Sequence, residues 1–258
     1  MLSVSDTAWS IAQIRADEAL LPESERIFVD PYAPIFAAAG AHAAEGTARF
    51  LSLPFFRDGI RLRTRAIDDV TRDALSAGIT QIVLLGAGLD ARGMRLPEIA
   101  AHCATVFEVD FAELLDTKRA LLTAAGVSIP AHVSYVACDL ASPDLDAALL
   151  APLVAKGFRP HEGALFIWEG VVSYLDRASI DRSLALMARA GGVGTRVVFD
   201  YGAFYFDAES GEDCVRRAGF DRFEEVAYDA LWRRYLPGDA HENAWVCRLG
   251  VASVSPRA

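Results

Sequence analysis

Five short apolar runs recur through the middle of the chain: QIVLL (81–85), TVFEV (105–109), VSYVA (133–137), ALFIW (164–168) and RVVFD (196–200). Each is short and nearly continuous in its apolar character, as a strand covered on both faces requires. Helix-like segments lie between them, over 91–101, 112–125, 144–156 and 177–190. Strand and helix alternate, so each crossover returns the chain to the same edge and the strands pair in parallel. Such crossovers are right-handed almost without exception, which leaves an α/β doubly wound sheet as the simplest topology. Two later runs, 223–228 and 243–253, follow a helix near 211–218. A polar, turn-rich connection joins them, and a closing antiparallel pair at one edge of a seven-stranded sheet is expected.

Upstream of the first strand the pattern is helical. Residues 7–20 carry apolar positions at helical spacing behind a candidate cap, Thr7, and 58–77 form a longer helix that Gly78 ends. Pro22, Pro31 and Pro34 keep the stretch between them in short pieces. No linker-like tract divides the chain, so the reading is one domain over 1–258, with an N-terminal helical lid (1–78) and a core (79–258). Trp9, Phe28, Tyr32, Phe36, Phe50, Phe55 and Phe56 would form most of the lid's own packing.

A formal net charge of −10 argues against a nucleic-acid partner, because a polyanion needs a basic stripe. The four arginines of RDGIRLRTR (57–65) are the nearest approach to one. Cys103, Cys138, Cys214 and Cys247 are scattered, as are the five histidines, and neither set has metal-ligand spacing. The opening MLSVSDTAWS lacks the basic-then-apolar order of a secretory signal, and no apolar run reaches spanning length. A cytoplasmic protein with no membrane partner is expected; the sequence leaves the oligomeric state open.

Chemistry concentrates in QIVLLGAGLDARGMRLPEIAAHCATVFEVD (81–110). Gly86 and Gly88, flanking Ala87, follow the first strand directly, where a side-chain-free turn lets a ligand approach the backbone at a helix start. Asp110 ends the second strand about 20 positions on, where a carboxylate accepts ribose hydroxyls. Glu108 lies two residues earlier on the same strand face, with Asp110 nearer the edge. Gly86-Ala87-Gly88-Leu89-Asp90-Ala91 also satisfies the dinucleotide form G-x-G-x-x-A, so a NAD-dependent oxidoreductase has to be weighed. Asp90 argues the other way: a carboxylate at the turn repels phosphate but suits an ammonium. S-adenosylmethionine carries that ammonium with a ribose and an adenine, and has no phosphate. Asp139 and Leu140, in ACDLAS after the third strand, stand where adenine would lie. Glu169, in FIWEGVVSYL, emerges at the carboxyl edge of the fourth strand, beside the cleft.

Taken together, ERIFVDPYA, RTRAIDD, QIVLLGAGLDARGMRL, VFEVDFAELLDTKRALL, CDL and FIWEGVVSYL resemble, in order, the leucine carboxyl methyltransferase family of S-adenosylmethionine-dependent enzymes. That family includes bacterial O-methyltransferases of polyketide and other natural-product pathways. The resemblance covers roughly residues 7 to 180 and implies a Rossmann-like, class I methyltransferase fold. It further implies that Gly86, Ala87 and Gly88 border the cofactor, Asp110 holds its ribose, and Asp139 with Leu140 holds its adenine. Arg63 would clamp the methionine carboxylate, with Arg65 as the alternative, and Glu169 would lie near the methionine end. Ala91 replaces the family's commoner Thr, and the chain is shorter than many relatives after residue 200.

The implied activity is transfer of a methyl group to a carboxylate or hydroxyl of a small acceptor. A carboxylate is ionised at neutral pH and needs no base, whereas a phenol or alcohol does. No convincing base stands out; His241, in GDAHENAW, is the single weak candidate, and the lack of an obvious base favours carboxyl over hydroxyl methylation. A catalytically silent cofactor-binding protein of the same fold is the remaining alternative.

Overall fold

The computed structural model describes residues 4–40, 54–203, 205–206 and 209–255; Phe50 lies outside them. Seven strands form one sheet in the order β3-β2-β1-β4-β5-β7-β6. They are β1 (Gln81–Leu85), β2 (Thr105–Asp110), β3 (Val133–Ala137), β4 (Leu165–Trp168), β5 (Arg196–Gly202), β6 (Arg222–Ala227) and β7 (Cys247–Ser253). The first five pair in parallel, while β7 runs antiparallel between β5 and β6. The sheet is therefore mixed at one edge and parallel elsewhere.

Continuous apolar runs are explained by what covers them. In β1, Val83 and Leu85 enter the core on one face, while Ile82 and Leu84 enter the core on the other. β4 repeats this with Phe166 and Trp168 against Leu165 and Ile167. Alternation of side chains along a strand thus produces two separate cores, and the buried polar residue of these two strands, Gln81, has its amide paired with the backbone of Arg159.

Helix α1 (Val4–Glu18) starts three residues before Thr7, so Thr7 lies within the helix instead of capping it. It is followed by α2 (Ala33–Ala39) and α3 (Pro54–Ser76). Along α3, Leu62, Ala66, Ile67, Ala74 and Leu75 recur at helical spacing and pack on the sheet. The same periodicity sorts its arginines. Arg63 turns inward and is 8% exposed. Arg57, Arg61 and Arg65 point outward and pair with Asp17, Glu18 and Asp69 respectively.

Three segments differ from the sequence reading. The helix expected over 91–101 is cut into α4 (Arg92–Arg95) and α5 (Pro97–Ala101), because Pro97 disfavours helical geometry at Leu96, which is extended. α6 (Ala112–Ala124) runs as expected. Between β3 and β4 the helix opens with a wide turn at Asp146–Leu150 before α7 (Ala151–Ala155); Pro152, early in α7, has no N–H to give to that turn. α8 (Arg177–Gly191) and α9 (Gly211–Ala218) follow, each with a side-chain cap, Asp176 and Ser210. The connection after β6 contains a further helix, α10 (Tyr228–Tyr235), whose Tyr228 and Leu231 are buried in the α3 core. A short turn, Ala244–Val246, precedes β7, so that strand starts later than expected. No helix among the described residues is long and apolar enough to cross a membrane.

Candidate cofactor site

The carboxyl ends of β1, β2 and β4 converge on a cavity of about 370 Å³ roofed by α1. Its floor is the glycine turn. Gly86 and Gly88 have φ of +67° and +50°, a region that side chains penalise. A Cβ on Gly86 would collide with Val171 Cγ2, and one on Gly88 would come within 3.6 Å of Ala8 on the roof. Asp110 ties this turn to β2: Oδ2 accepts from Gly88 N at 2.7 Å and Oδ1 from Phe111 N at 2.7 Å. Each oxygen keeps a second lone pair for a ligand hydroxyl. Burial pushes the Asp110 carboxyl above its usual range, and the two amides offset part of that rise.

One end of the cavity is apolar, with Phe111, Leu114, Cys138 and Leu140 on its wall and Asp139 beside them. Asp139 is exposed and its Oδ1 accepts from Ala141 N at 2.8 Å. Burial, then Asp139, raises the Cys138 thiol to about 11, so it stays protonated.

The opposite end is a buried ionic cluster. Glu169 Oε1 accepts from Arg15 Nη2 at 2.8 Å and Arg63 Nε at 3.0 Å, while Oε2 accepts from Arg92 Nη2 at 3.1 Å. Arg92 also holds Asp68 at 2.8 Å and makes a short contact with Asp90. Burial opposes ionisation of Glu169, yet Arg15, Arg92 and Arg63 outweigh it and hold its carboxyl well below the usual range. Asp90 is lowered in the same way, with Arg92 and Arg15 overcoming its burial.

That cluster sets an acid limit. Unfolded, Glu169 titrates near about 4.3; folded, it titrates lower, so the unfolded chain takes up its proton first as pH falls. The stability it contributes is present above that value and is lost progressively below it. Thermal melts from pH 7 to 3 should therefore fall less steeply for Glu169→Gln than for the wild type, from a lower starting point. Parallel profiles would mean that Glu169 is not held as described.

The cavity gathers Arg63, Gly86, Ala87, Gly88, Asp110, Asp139, Leu140 and Glu169 on one wall system. Three sequence candidates do not reach it. Arg65, two positions from Arg63 on a helix of 3.6 residues per turn, faces outward to Asp69 and the Ile27 carbonyl, beneath Tyr235. Glu108 lies one pleat repeat below Asp110, under α4 and α6, fully buried at 2.5 Å from Lys118 Nζ. Lys118 also donates to the Asp90 carbonyl, so this pair supports the turn from behind. His241 stacks on Phe55 with ring centroids 5.4 Å apart and accepts from Asn243 N, away from the cavity wall.

Residues that sequence reasoning passed over also line the site. Ala8, Ile11, Ala12 and Arg15 place one face of α1 over it, at the 3–4 residue spacing that was available as a signal. At the mouth, Tyr174 Oη donates to Thr7 Oγ1 at 2.9 Å, joining roof to wall. One hydrogen bond of this kind contributes about 0.5–1.5 kcal/mol net. Tyr174→Phe should accordingly speed dissociation of S-adenosylhomocysteine about 2–10-fold in stopped-flow fluorescence, leaving melting temperature nearly unchanged. An unaltered off-rate would show that the contact does not hold the roof.

An adenosyl ligand without phosphate fits these residues: a glycine cradle that any Cβ would fill, a carboxylate with free lone pairs at the ribose position, and arginines with carboxylates at the far end. This arrangement on a β3-β2-β1-β4-β5-β7-β6 sheet is the fold of the class I, S-adenosylmethionine-dependent methyltransferases. Residues 8–188 match the model of the leucine carboxyl methyltransferase family, and the chain belongs to that family. A Parafrankia sp. protein named, provisionally, as an S-adenosyl-L-methionine-dependent methyltransferase is 34% identical over 76% of this chain, which spans 63% of that relative's length. A Mycolicibacterium gilvum protein with the same provisional name is 31% identical over 94% of this chain and 84% of its own. In fold, the chain is similar to a provisionally assigned methyltransferase from Thermobifida fusca, with a TM-score of 0.58, 19% identity and 94% of each chain covered.

Proposed function

We propose that the protein is an S-adenosylmethionine-dependent O-methyltransferase acting on a small apolar acceptor of the natural-product type, with a carboxylate as the favoured nucleophile. The observation that carries this reading is the lack, among the described residues, of a neutral-range base on the cavity wall. Glu169 and Asp90 are pinned by arginines and titrate low, Asp110 is engaged by two amides, and Cys138 titrates near 11. A carboxylate acceptor asks for no such base.

When bound, the cofactor supplies a methyl group already activated on a sulfonium. The chain's own residues then have three tasks. Asp110 and the Gly86–Gly88 turn fix the nucleoside. Arg63 and Arg15 meet the amino-acid carboxylate, for which a guanidinium offers paired donors, while Asp90 and Glu169 complement the ammonium. Ala8, Ile11 and Ala12 on the roof exclude water, and the apolar wall leaves room for a small acceptor. Fixing reactants in line in this way can lower a barrier by about 7–11 kcal/mol in favourable systems.

The test is a methyl-transfer assay with a panel of small carboxylic acids and size-matched phenols between pH 5 and 10. A carboxyl enzyme should give ester products at a rate nearly independent of pH above about 5, since the acceptor is already ionised. Turnover confined to phenols, rising with pH, would transfer the assignment to hydroxyl methylation. Saturable binding of S-adenosylhomocysteine with no product from any acceptor class would make the protein a silent cofactor binder.

A further inference from the structure

Asp200, near the end of β5, has no part in the cofactor reading above and does not line the cavity. It nonetheless touches both elements that form the cavity's ionic end. Its Oδ2 accepts from Arg63 Nη1 at 2.9 Å, and its Oδ1 accepts from Gly170 N at 2.5 Å. The sheet register explains the reach: Trp168 of β4 pairs with Phe199 of β5, so Glu169 and Gly170 leave the sheet beside Asp200. The Asp200 side chain is 14% exposed and that of Arg63 is 10% exposed, so water offers the guanidinium little alternative partnership.

Arg63 is held on two sides. Asp200 fixes Nη1 while Glu169 fixes Nε at 3.0 Å, and Nη2 has no hydrogen-bond partner among the described residues. Two of the three nitrogens being fixed, the plane of the guanidinium is set before any ligand arrives. That plane lies against the turn after β4: Gly170 has φ of +69°, and a Cβ there would stand 2.8 Å from Nη2. One carboxylate thus orients the arginine and the glycine turn together, and that turn continues into Val171, which packs over Gly86. Burial disfavours the Arg63 charge, and Asp200 and then Glu169 more than offset that, raising the guanidinium above its ordinary value.

We propose that Asp200 is a positioning residue for the amino-acid end of the cofactor, acting through Arg63 and the Glu169–Gly170 turn. The proposal rests on the reading that Arg63 meets the cofactor carboxylate. Its consequence is selective: Asp200 matters for ligands that carry the amino-acid moiety and is immaterial for those that end at the nucleoside.

Isothermal titration of S-adenosylhomocysteine and of 5′-methylthioadenosine, which lacks the amino-acid carboxylate, tests this on the full chain. Asp200→Asn places an amide N–H against the Arg63 donors. It should weaken S-adenosylhomocysteine at least tenfold while changing 5′-methylthioadenosine less than twofold. Asp200→Glu keeps the charge one methylene away and should give an intermediate, several-fold loss confined to S-adenosylhomocysteine; it carries the comparison should the Asn variant not fold. Equal weakening of both ligands, or of neither, overturns the proposal. Arg63→Met separates the two levels. If it too leaves S-adenosylhomocysteine unaffected, the reading of Arg63 falls; if it loses that ligand selectively while Asp200→Asn does not, the role of Asp200 alone falls.

Discussion

Replacing Arg92 with methionine should lower the unfolding free energy by about 3–5 kcal/mol, the loss typical when one member of a buried ionic group is removed. Arg92 is fully buried and is shared by Asp68, Asp90 and Glu169. Its removal is not equally felt by the three. Asp68 keeps Arg95 at 2.6 Å and Glu169 keeps Arg15 and Arg63, whereas Asp90 is left with Arg15 at 3.8 Å. Asp90 loses its near cation and keeps on Oδ1 the backbone amide of residue 92, and burial then pushes its carboxyl up. A raised folded pKa means that the variant's penalty is full at neutral pH and shrinks as pH falls through that value, where protonation removes the unpaired charge. Urea unfolding at pH 7 and pH 5 should show the gap to wild type narrowing in acid. Arg72→Met provides the contrast, since Arg72 pairs with Asp69 and Glu98 at the surface and should cost no more than about 1 kcal/mol. Comparable losses for the two variants would mean that the buried cluster behaves as a set of independent surface pairs.

The five parallel strands were legible because burial on both faces leaves a chemical trace in each strand separately: in β1, Ile82 and Leu84 serve one core and Val83 and Leu85 the other. α10 left a fainter trace. Tyr228, Leu231, Trp232 and Tyr235 have helical spacing, but eight residues between turn formers look like connection until α3 supplies the surface that buries them. The site divides in the same way. Gly86, Gly88 and Asp110 are legible because a turn and a strand end lie in fixed sequence relation within one βαβ unit. Arg15 and Glu169 are 154 positions apart and Arg63 and Asp200 are 137 apart, so no local spacing records that they meet. Choosing between Arg63 and Arg65, or between Glu108 and Asp110, needed the angular position on α3 and the depth along β2. Both are properties of the packed sheet, which a motif does not encode.

Asp110→Ala should reduce affinity for S-adenosylhomocysteine by about 100- to 10,000-fold. The range follows from two hydrogen bonds between a ribose diol and an ionised carboxylate, each worth about 1.5–3 kcal/mol. The geometry makes the carboxylate hard to replace. Gly88 N and Phe111 N each occupy one lone pair, so both oxygens must be acceptors from the protein side before the ligand is considered. Asp110→Asn, although equal in size, turns one of these oxygens into a donor facing a backbone N–H and should lose nearly as much as the alanine variant. The Gly88 amide loses its acceptor in the alanine variant, leaving Ala87 N on the Val109 carbonyl as the tie between turn and β2, which would weaken every ligand of the cavity. Titration with the 2′,3′-dideoxy analogue of S-adenosylhomocysteine separates that general effect from the specific one. Wild type should prefer the natural ribose by at least tenfold, and the preference should collapse in Asp110→Ala, because the alanine has nothing to offer either sugar. A variant that binds weakly yet still discriminates between the two sugars would place the ribose against some other group, and Asp110 would then be a support of the turn alone.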